Sequence, residues 1–398
     1  MRFRECMSKN AGVAGYVKAF WHVLSESQTG QCINYLLFAV LVIYGAQGIA
    51  LGAYDAIRIL FPQREIICFL VTEMGINASE LRGIPVCPLA AFASKFSPRE
   101  KENIEVMICT PEDVMDEIEL SLHDAGLHHH VRMDSLRWAE LMQMAYAKVG
   151  KFMPLRAYPI GNQQPDIHVY KAMFHRDRLL NNVYENPNYM VGLQVGAVQT
   201  KMRIADLSDN VGNNISEKNG NYSELTGLYW IWKNRVLADE NRDQAYYGLA
   251  HYRRWLQLTE DDLLRLRDND IDVVLPYPMP YEPDIEVHHL RYLADSERKA
   301  ILQALEELQP EYAKTLDGIL RQPYLYNYNL IIAKGNVLAN YCNWLFPILF
   351  RVEQINDPSG EKPANRFIGY VGETLETLYF TYNKQNLKIA HAGCRFLL

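Results

Sequence analysis

The densest usable chemistry in the chain lies in four consecutive residues, His251-Tyr252-Arg253-Arg254. They follow an apolar run, Tyr246-Tyr-Gly-Leu-Ala250, that reads as a strand. Ligands of open α/β sheets bind beyond the carboxyl ends of strands, and guanidinium groups hold phosphate oxygens through paired, charge-assisted hydrogen bonds. A fixed cation also stabilises the negative charge that develops on a departing phosphate. His251 and Arg253 are therefore candidate catalytic groups, and Arg254 is a candidate anion ligand. Further along, Glu373 is the leading candidate for a base that deprotonates a hydroxyl; a helix-end charge or a salt bridge is its structural alternative. Asn327 and Asn329 precede an apolar strand and offer ligands for hydroxyls, with an Asx turn as their alternative. Arg366 adds a second candidate cation.

A polar loop upstream, Ser208-Asp-Asn-Val-Gly-Asn-Asn-Ile-Ser216, is dense in turn-forming residues. Asp209, Asn210, Asn214 and Ser216 are candidates for binding nucleoside or sugar hydroxyls, set against a structured turn. The following helix carries Leu225, Leu228, Tyr229 and Trp232 at core spacing. Tyr222 and Trp230 lie off that stripe, where a sugar or base could reach them. Asn221-x-x-Glu224 fits a capping box. Asp268-Asn-Asp270 and Asp270-Ile-Asp272 are the chain's Asp-x-Asp strings, but they stand before the strand Val273–Leu275, at the end opposite a binding crevice. They read as turn residues, so arginine takes the place of a metal. The competing reading keeps Mn²⁺ or Mg²⁺, with His251 and His391 as ligands. Asp284, Glu286, His288 and His289 form a polar stretch suited to an acceptor loop.

These groups need a scaffold, and 398 residues exceed one ordinary core, so two domains are expected. Hydrophobic content of 49% and charged content of 22% are those of a globular protein. A net charge of −7 argues against general nucleic-acid binding, which needs a basic field. The seven cysteines show no C-x-x-C pair, which suits free thiols in a reducing cytoplasm. Ile33 to Ala53 is uncharged, but its glycines, Asn34 and Gln47 favour a strand and glycine turn over a membrane span. No secretory cleavage pattern is visible.

Along the chain, residues 1–35 read as a helical lead-in and 36–132 as alternating strands and helices, which implies a parallel sheet. Residues 133–165 read as a helical linker ending in a proline- and glycine-marked boundary near Gly161, and 166–398 as a second α/β domain. In the first domain Gly45, Gly48 and Gly52 form a loosened dinucleotide fingerprint with Gln47 at its second glycine position. Gly45, Gly48 and Glu73 are candidates for nucleotide binding; the alternative is that the glycines simply let a strand turn into a helix. On Tyr44-Gly-Ala-Gln-Gly48 and Arg82-Gly-Ile-Pro-Val86, residues 36–132 resemble the small Rossmann-like module that precedes sugar-modifying enzymes.

The second domain carries a more specific resemblance. Ser208–Ser216, Tyr222-Ser-Glu-Leu-Thr-Gly-Leu-Tyr-Trp230 and His251–Arg254 resemble the signature of a bacterial family labelled domain of unknown function 4422, associated with capsular and exopolysaccharide glycosyl transfer. Asn327-Tyr-Asn329, Tyr341-Cys-Asn-Trp-Leu-Phe346 and Arg366-Phe-Ile-Gly-Tyr-Val-Gly-Glu373 extend the likeness over about residues 166–398. Where many relatives have Thr and Asp in the loop, this chain has Val211 and Asn213. The resemblance implies a GT-A-like fold, a nucleotide-sugar donor and a glycan or lipid-linked glycan acceptor. On that reading the chain moves a hexosyl unit (galactosyl or galactofuranosyl among the candidates) in capsule, exopolysaccharide or O-antigen assembly. It would work in the cytoplasm, with peripheral contact at the inner membrane and self-association left open. Two other classes stand beside it: an NAD(P)-dependent sugar-nucleotide oxidoreductase or dehydratase centred on Gly45–Glu73, and a non-catalytic sugar-nucleotide scaffold. Gln47 in the fingerprint weighs against the former.

Overall fold

The computed structural model describes residues 40–181 and 184–398; the expected lead-in at 1–35 lies outside them. The chain divides into two compact units, the first ending at Ala145 and the second running from Tyr146 to Leu398. The division falls within a helix, Ser135–Val149, rather than near Gly161.

The first unit alternates strand and helix: β1 (Val40–Tyr44), α1 (Gly48–Leu60), β2 (Ile66–Val71), β3 (Glu80–Leu81), β4 (Ile84–Pro88), α2 (Leu89–Ala93), α3 (Pro98–Lys101), β5 (Ile104–Ile108), α4 (Met115–Asp124), β6 (His130–Arg132) and α5 (Ser135–Val149). The sheet order is β3-β4-β2-β1-β5-β6, parallel throughout except for the short β3. Every residue of β1 and β5 is buried, as expected of central parallel strands covered on both faces. At the β1–α1 turn Gly45 has φ of 125°, and a Cβ there would lie 2.4 Å from the Cys109 carbonyl oxygen. Gly52 lets α1 approach Trp138, whose ring a Cβ would meet at 2.7 Å. The glycine spacing thus has structural work at two of its positions. Glu73 is exposed in the loop after β2.

The second unit holds β7 (Asp166–Met173), β8 (Met190–Gln194), β9 (Leu207–Ser208), α6 (Leu225–Ile231), β10 (Ala245–His251), β11 (Arg254–Leu256), α7 (Glu260–Asp268), β12 (Val273–Pro276), β13 (Met279–Pro280), α8 (Ile285–His289), α9 (Asp295–Leu308), α10 (Pro310–Leu320), β14 (Tyr324–Leu325), β15 (Ile331–Lys334), α11 (Gly335–Asn356), α12 (Phe367–Tyr382), β16 (Ile389–Ala392) and β17 (Cys394–Phe396). Its main sheet runs β16-β12-β15-β10-β7-β8-β9, with β11 and β17 attached beside β10. Strand β10 is parallel to β7 and antiparallel to β15, which is also antiparallel to β12. The sheet is therefore mixed, and this reversal matters for the site. The carboxyl ends of β7, β10 and β12 and the amino end of β15 all reach the same edge, since Leu249 pairs with Ile331 and Val273 with Ala333.

Helices α11 and α12 supply much of the core through Tyr341, Leu345, Phe346, Leu349, Leu375 and Leu378. Helix α11 continues through Pro347 for 22 residues. Helix α6 is buried almost all round, and Trp230 sits in the core with Leu225, Leu228 and Trp232. Among the described residues no helix is long and apolar enough to cross a membrane. Cys68, Cys109 and Cys342 are buried, and Cys87 and Cys394 are partly exposed; Cys6 and Cys32 lie outside the described residues.

Candidate active site

The sheet edge where β10 ends and β15 begins opens into a cavity of about 290 Å³. Its charged lining comes from four elements: Glu224 before α6, His251 at the end of β10, Arg254 opening β11, and Arg366 and Glu373 on the first turns of α12. Asn327 and Tyr328 enter from the segment leading into β15. The mixed sheet is what lets that segment share an edge with the end of β10.

Backbone strain gathers here. Among the described residues seven other than glycine have positive φ, and four of them belong to this site: Ser223 (50°), Tyr328 (74°), Asn329 (49°) and Arg366 (65°). Such conformations cost free energy and concentrate at functional sites. At Ser223 the strain has a visible effect. It separates the turn Asn219–Tyr222 from α6, so Glu224 does not close a capping box. Its carboxylate accepts a 2.6 Å hydrogen bond from Asn329 Nδ2 and stands 3.7 Å from His251 Nε2. The motif in the sequence points to a cap; the positive φ of Ser223, just before Glu224, redirects it into the cavity.

His251 has a backbone hydrogen bond with Tyr328, while its Nε2 has no partner. Burial lowers the imidazole's pKa; Glu224 opposes that, while Arg254 and Arg366 reinforce it. The ring is thus neutral at pH 7, with Nε2 buried and without a hydrogen-bond partner. Glu373 accepts from the Tyr328 amide at 2.8 Å and lies 3.4 Å from Asn327 Nδ2. Burial pushes its carboxyl up to about 8, and the neighbouring Glu224 charge adds to the rise. One turn on, Glu376 is buried with neither carboxyl oxygen paired, and burial raises its pKa too. Asn327 Oδ1 and Asn329 Oδ1 are likewise buried without partners. Buried polar atoms without partners are uncommon and call for an explanation such as a missing ligand.

Arg254 lies over the Tyr328 ring, 4.3 Å from its centroid, and Arg366 Nε donates to Ser223 Oγ at 3.2 Å. Both are held by contacts that leave donors for an anion. Arg253 does not line the cavity; it packs over the Phe396 and Tyr252 rings at 5.1 and 5.8 Å. An aromatic wall completes the cavity. Tyr281 stacks on His288 with centroids 3.5 Å apart, His288 meets Tyr292, and Tyr292 meets Tyr370 at 5.0 Å. His288 and His289 thus belong to the cavity lining, whereas Asp284 caps α8 and Glu286 lies 3.8 Å from Arg298.

The polar loop behaves differently. Asp209 is fully buried and accepts from the Gly196 and Ala197 amides, Ser216 Oγ and Thr226 Oγ1. Asn210 accepts from Ser208 Oγ, and Asn214 bonds Gly212 and Ser216 within the loop. Tyr222 is buried with its hydroxyl donating to Glu353, and Trp230 Nε1 donates to the Val211 carbonyl. None of these residues lines the cavity. Asp270 and Asp272 both pair with Lys334 at the opposite sheet edge. Both nitrogens of His391 have partners, Tyr326 Oη at 2.8 Å and the Met153 carbonyl at 3.4 Å. Among the described residues no group of three or more His, Cys, Asp or Glu side chains is arranged to hold a metal ion.

Glu224 and the tyrosines of the aromatic wall, Tyr281, Tyr292 and Tyr370, are the site residues that the sequence pattern does not mark as such. Tyr292 and Tyr370 had no motif to mark them; Glu224 was visible, but as a cap.

Three comparisons bear on this arrangement. The family model described as "Domain of unknown function (DUF4422)" matches residues 172–385, more than half of the chain. No curated protein matches. A solved structure described as "WbbM bifunctional glycosytransferase apo structure" aligns with a TM-score of 0.49 and 25% identity, over 58% of this chain and 45% of that one. The chain spans less than half the length of that structure.

Proposed function

The chain belongs to the DUF4422 family, and from that premise we propose that it is a glycosyltransferase whose second unit transfers a hexosyl group from a nucleotide-sugar to a glycan acceptor. One observation carries the reading: two arginines, a neutral histidine and two glutamates converge on one cavity at the strand-end edge of a mixed α/β sheet. Arg254 and Arg366 would hold the donor diphosphate and stabilise the charge that grows on it as the glycosidic bond breaks. His251 Nε2, neutral and unpartnered, would take the proton of the attacking hydroxyl, with Glu224 close enough to stabilise the resulting imidazolium. Sequence reasoning gave the base role to Glu373. Its raised pKa favours the protonated acid at neutral pH, which suits it to donate a hydrogen bond to a bound hydroxyl.

Arginine would serve where a metal serves in other transferases, so transfer is expected to persist in EDTA. Capsule, exopolysaccharide or O-antigen assembly, a lipid-linked acceptor and peripheral membrane contact belong to the same proposal. In the first unit the parallel order of β4-β2-β1-β5-β6 is that of doubly wound nucleotide-binding sheets, which keeps binding at Gly45, Gly48 and Glu73 as a second reading.

A panel of UDP-, GDP-, dTDP- and CMP-sugars and NAD(H), read by thermal shift and by release of nucleoside diphosphate, tests both. Stabilisation and turnover with one nucleotide-sugar are expected. Stabilisation by NAD(H) alone would overturn the transferase reading.

A further inference from the structure

The cavity has two chemically distinct linings. Tyr281, His288, Tyr292 and Tyr370 form a continuous run of ring contacts. The rest of the lining is polar and includes acceptors without donors: Asn327 Oδ1 and His251 Nε2 have no hydrogen-bond partner. Asn327 is 93% buried, because its relative exposure is 7%, and its amide nitrogen is already committed to Tyr281 Oη at 3.1 Å and turned toward Glu373. In this arrangement the nitrogen faces Tyr281 and Glu373, and the oxygen has no protein donor.

Size narrows the ligand further. At about 290 Å³ the cavity sits at the lower end of ordinary ligand pockets and has room for a sugar ring. A hexose is amphipathic: one face presents C–H groups that pack on aromatic rings, and its edge presents hydroxyl donors. We propose that the cavity is a monosaccharide subsite in which a hexosyl ring lies against Tyr292 and Tyr370 and donates a hydroxyl hydrogen bond to Asn327 Oδ1. Asn327 is then the residue that reads hydroxyl configuration, and the nucleoside lies outside the cavity beyond Arg254 and Arg366. The proposal rests on the transferase reading only for the source of the ring, which is the donor's sugar or the acceptor's terminal sugar.

Saturation-transfer NMR on the full chain separates these. The probes are methyl β-galactopyranoside, methyl β-galactofuranoside, UDP-galactose and UDP. Saturation of ring protons in a methyl glycoside would identify an acceptor subsite, and saturation of the hexosyl protons in UDP-galactose without glycoside binding a donor subsite; both support a sugar ring in the cavity. Tyr370→Ala should weaken that binding about tenfold and Tyr370→Phe should retain it. Asn327→Ala should weaken it by a similar factor, and Asn327→Asp, similar in shape, guards against misfolding, with melting curves recorded for all four variants. Saturation confined to the uridine protons and unchanged in the variants would overturn the subsite while leaving the transferase reading in place. Glycoside binding without any nucleotide or nucleotide-sugar binding would keep the subsite and remove that reading. No saturation of any probe would overturn both.

Discussion

The polar loop Ser208–Ser216 and the cavity beyond β10 are both dense in polar side chains, yet they stand in opposite states. In the loop every singled-out side chain has a protein partner, and Asp209 gathers four donors. In the cavity lining, acceptors on His251 and Asn327 are left over. A buried polar group with its partners supplied stabilises a fold; one without them is costly unless a ligand supplies the partner. The difference teaches that polar density alone does not locate a site. On the proposed reading, leftover hydrogen-bonding capacity beside a cavity is what marks one.

The comparison can be broken from either side. After His251 itself, the largest effect is expected at Arg254→Ala, which should lower kcat about 10²–10³-fold with a melting temperature near that of the parent; unchanged turnover would remove the diphosphate role. Next is Glu373→Gln, measured as stability against pH. The folded-state pKa of about 8 exceeds the ordinary 4.5, so between those values the folded chain holds a proton that the unfolded chain has released. The group's contribution is complete below about pH 4.5 and is lost as pH rises through about 8. The Gln variant should therefore melt above the parent at pH 9 and converge with it toward pH 5. A constant difference across that range would contradict the assignment.

On the loop side the effects should fall on stability. Asp209→Asn leaves buried donors mismatched and should cost roughly 1–3 kcal/mol, read as a lower denaturation midpoint, while KM for the donor in the folded fraction stays unchanged. A raised KM without loss of stability would return Asp209 to the binding site. Tyr222→Phe is the smallest change: losing the 3.1 Å bond to Glu353 should cost about 1 kcal/mol and leave turnover alone.

Much of the framework was legible in local pattern. The β10 run ending at His251 and the helix that carries Leu225 and Leu228 stand where their residue pattern placed them. Those elements are buried and regular, so side-chain pattern governs them. The Asp-x-Asp strings were also placed at the correct sheet end, because strand direction fixes which end is which. What failed depended on tertiary geometry. The reversal of β15 that brings Asn327 beside His251 leaves no local mark. The positive φ of Ser223 turns Glu224 from a cap into a cavity residue. Trp230 and Tyr222 lie off the apolar stripe but are buried: α6 is enclosed almost all round, and Tyr222, in the turn before it, packs on Phe350.

The most direct measurement is donor-dependent transfer, or donor hydrolysis, compared between His251→Ala and the paired loop variant Asn210→Ala/Asn214→Ala. Loss of about 10²–10⁴-fold in the histidine variant, with the loop variant within twofold of the parent, is the predicted result. Full activity in the histidine variant together with loss in the loop variant would place the chemistry in the loop and contradict the account.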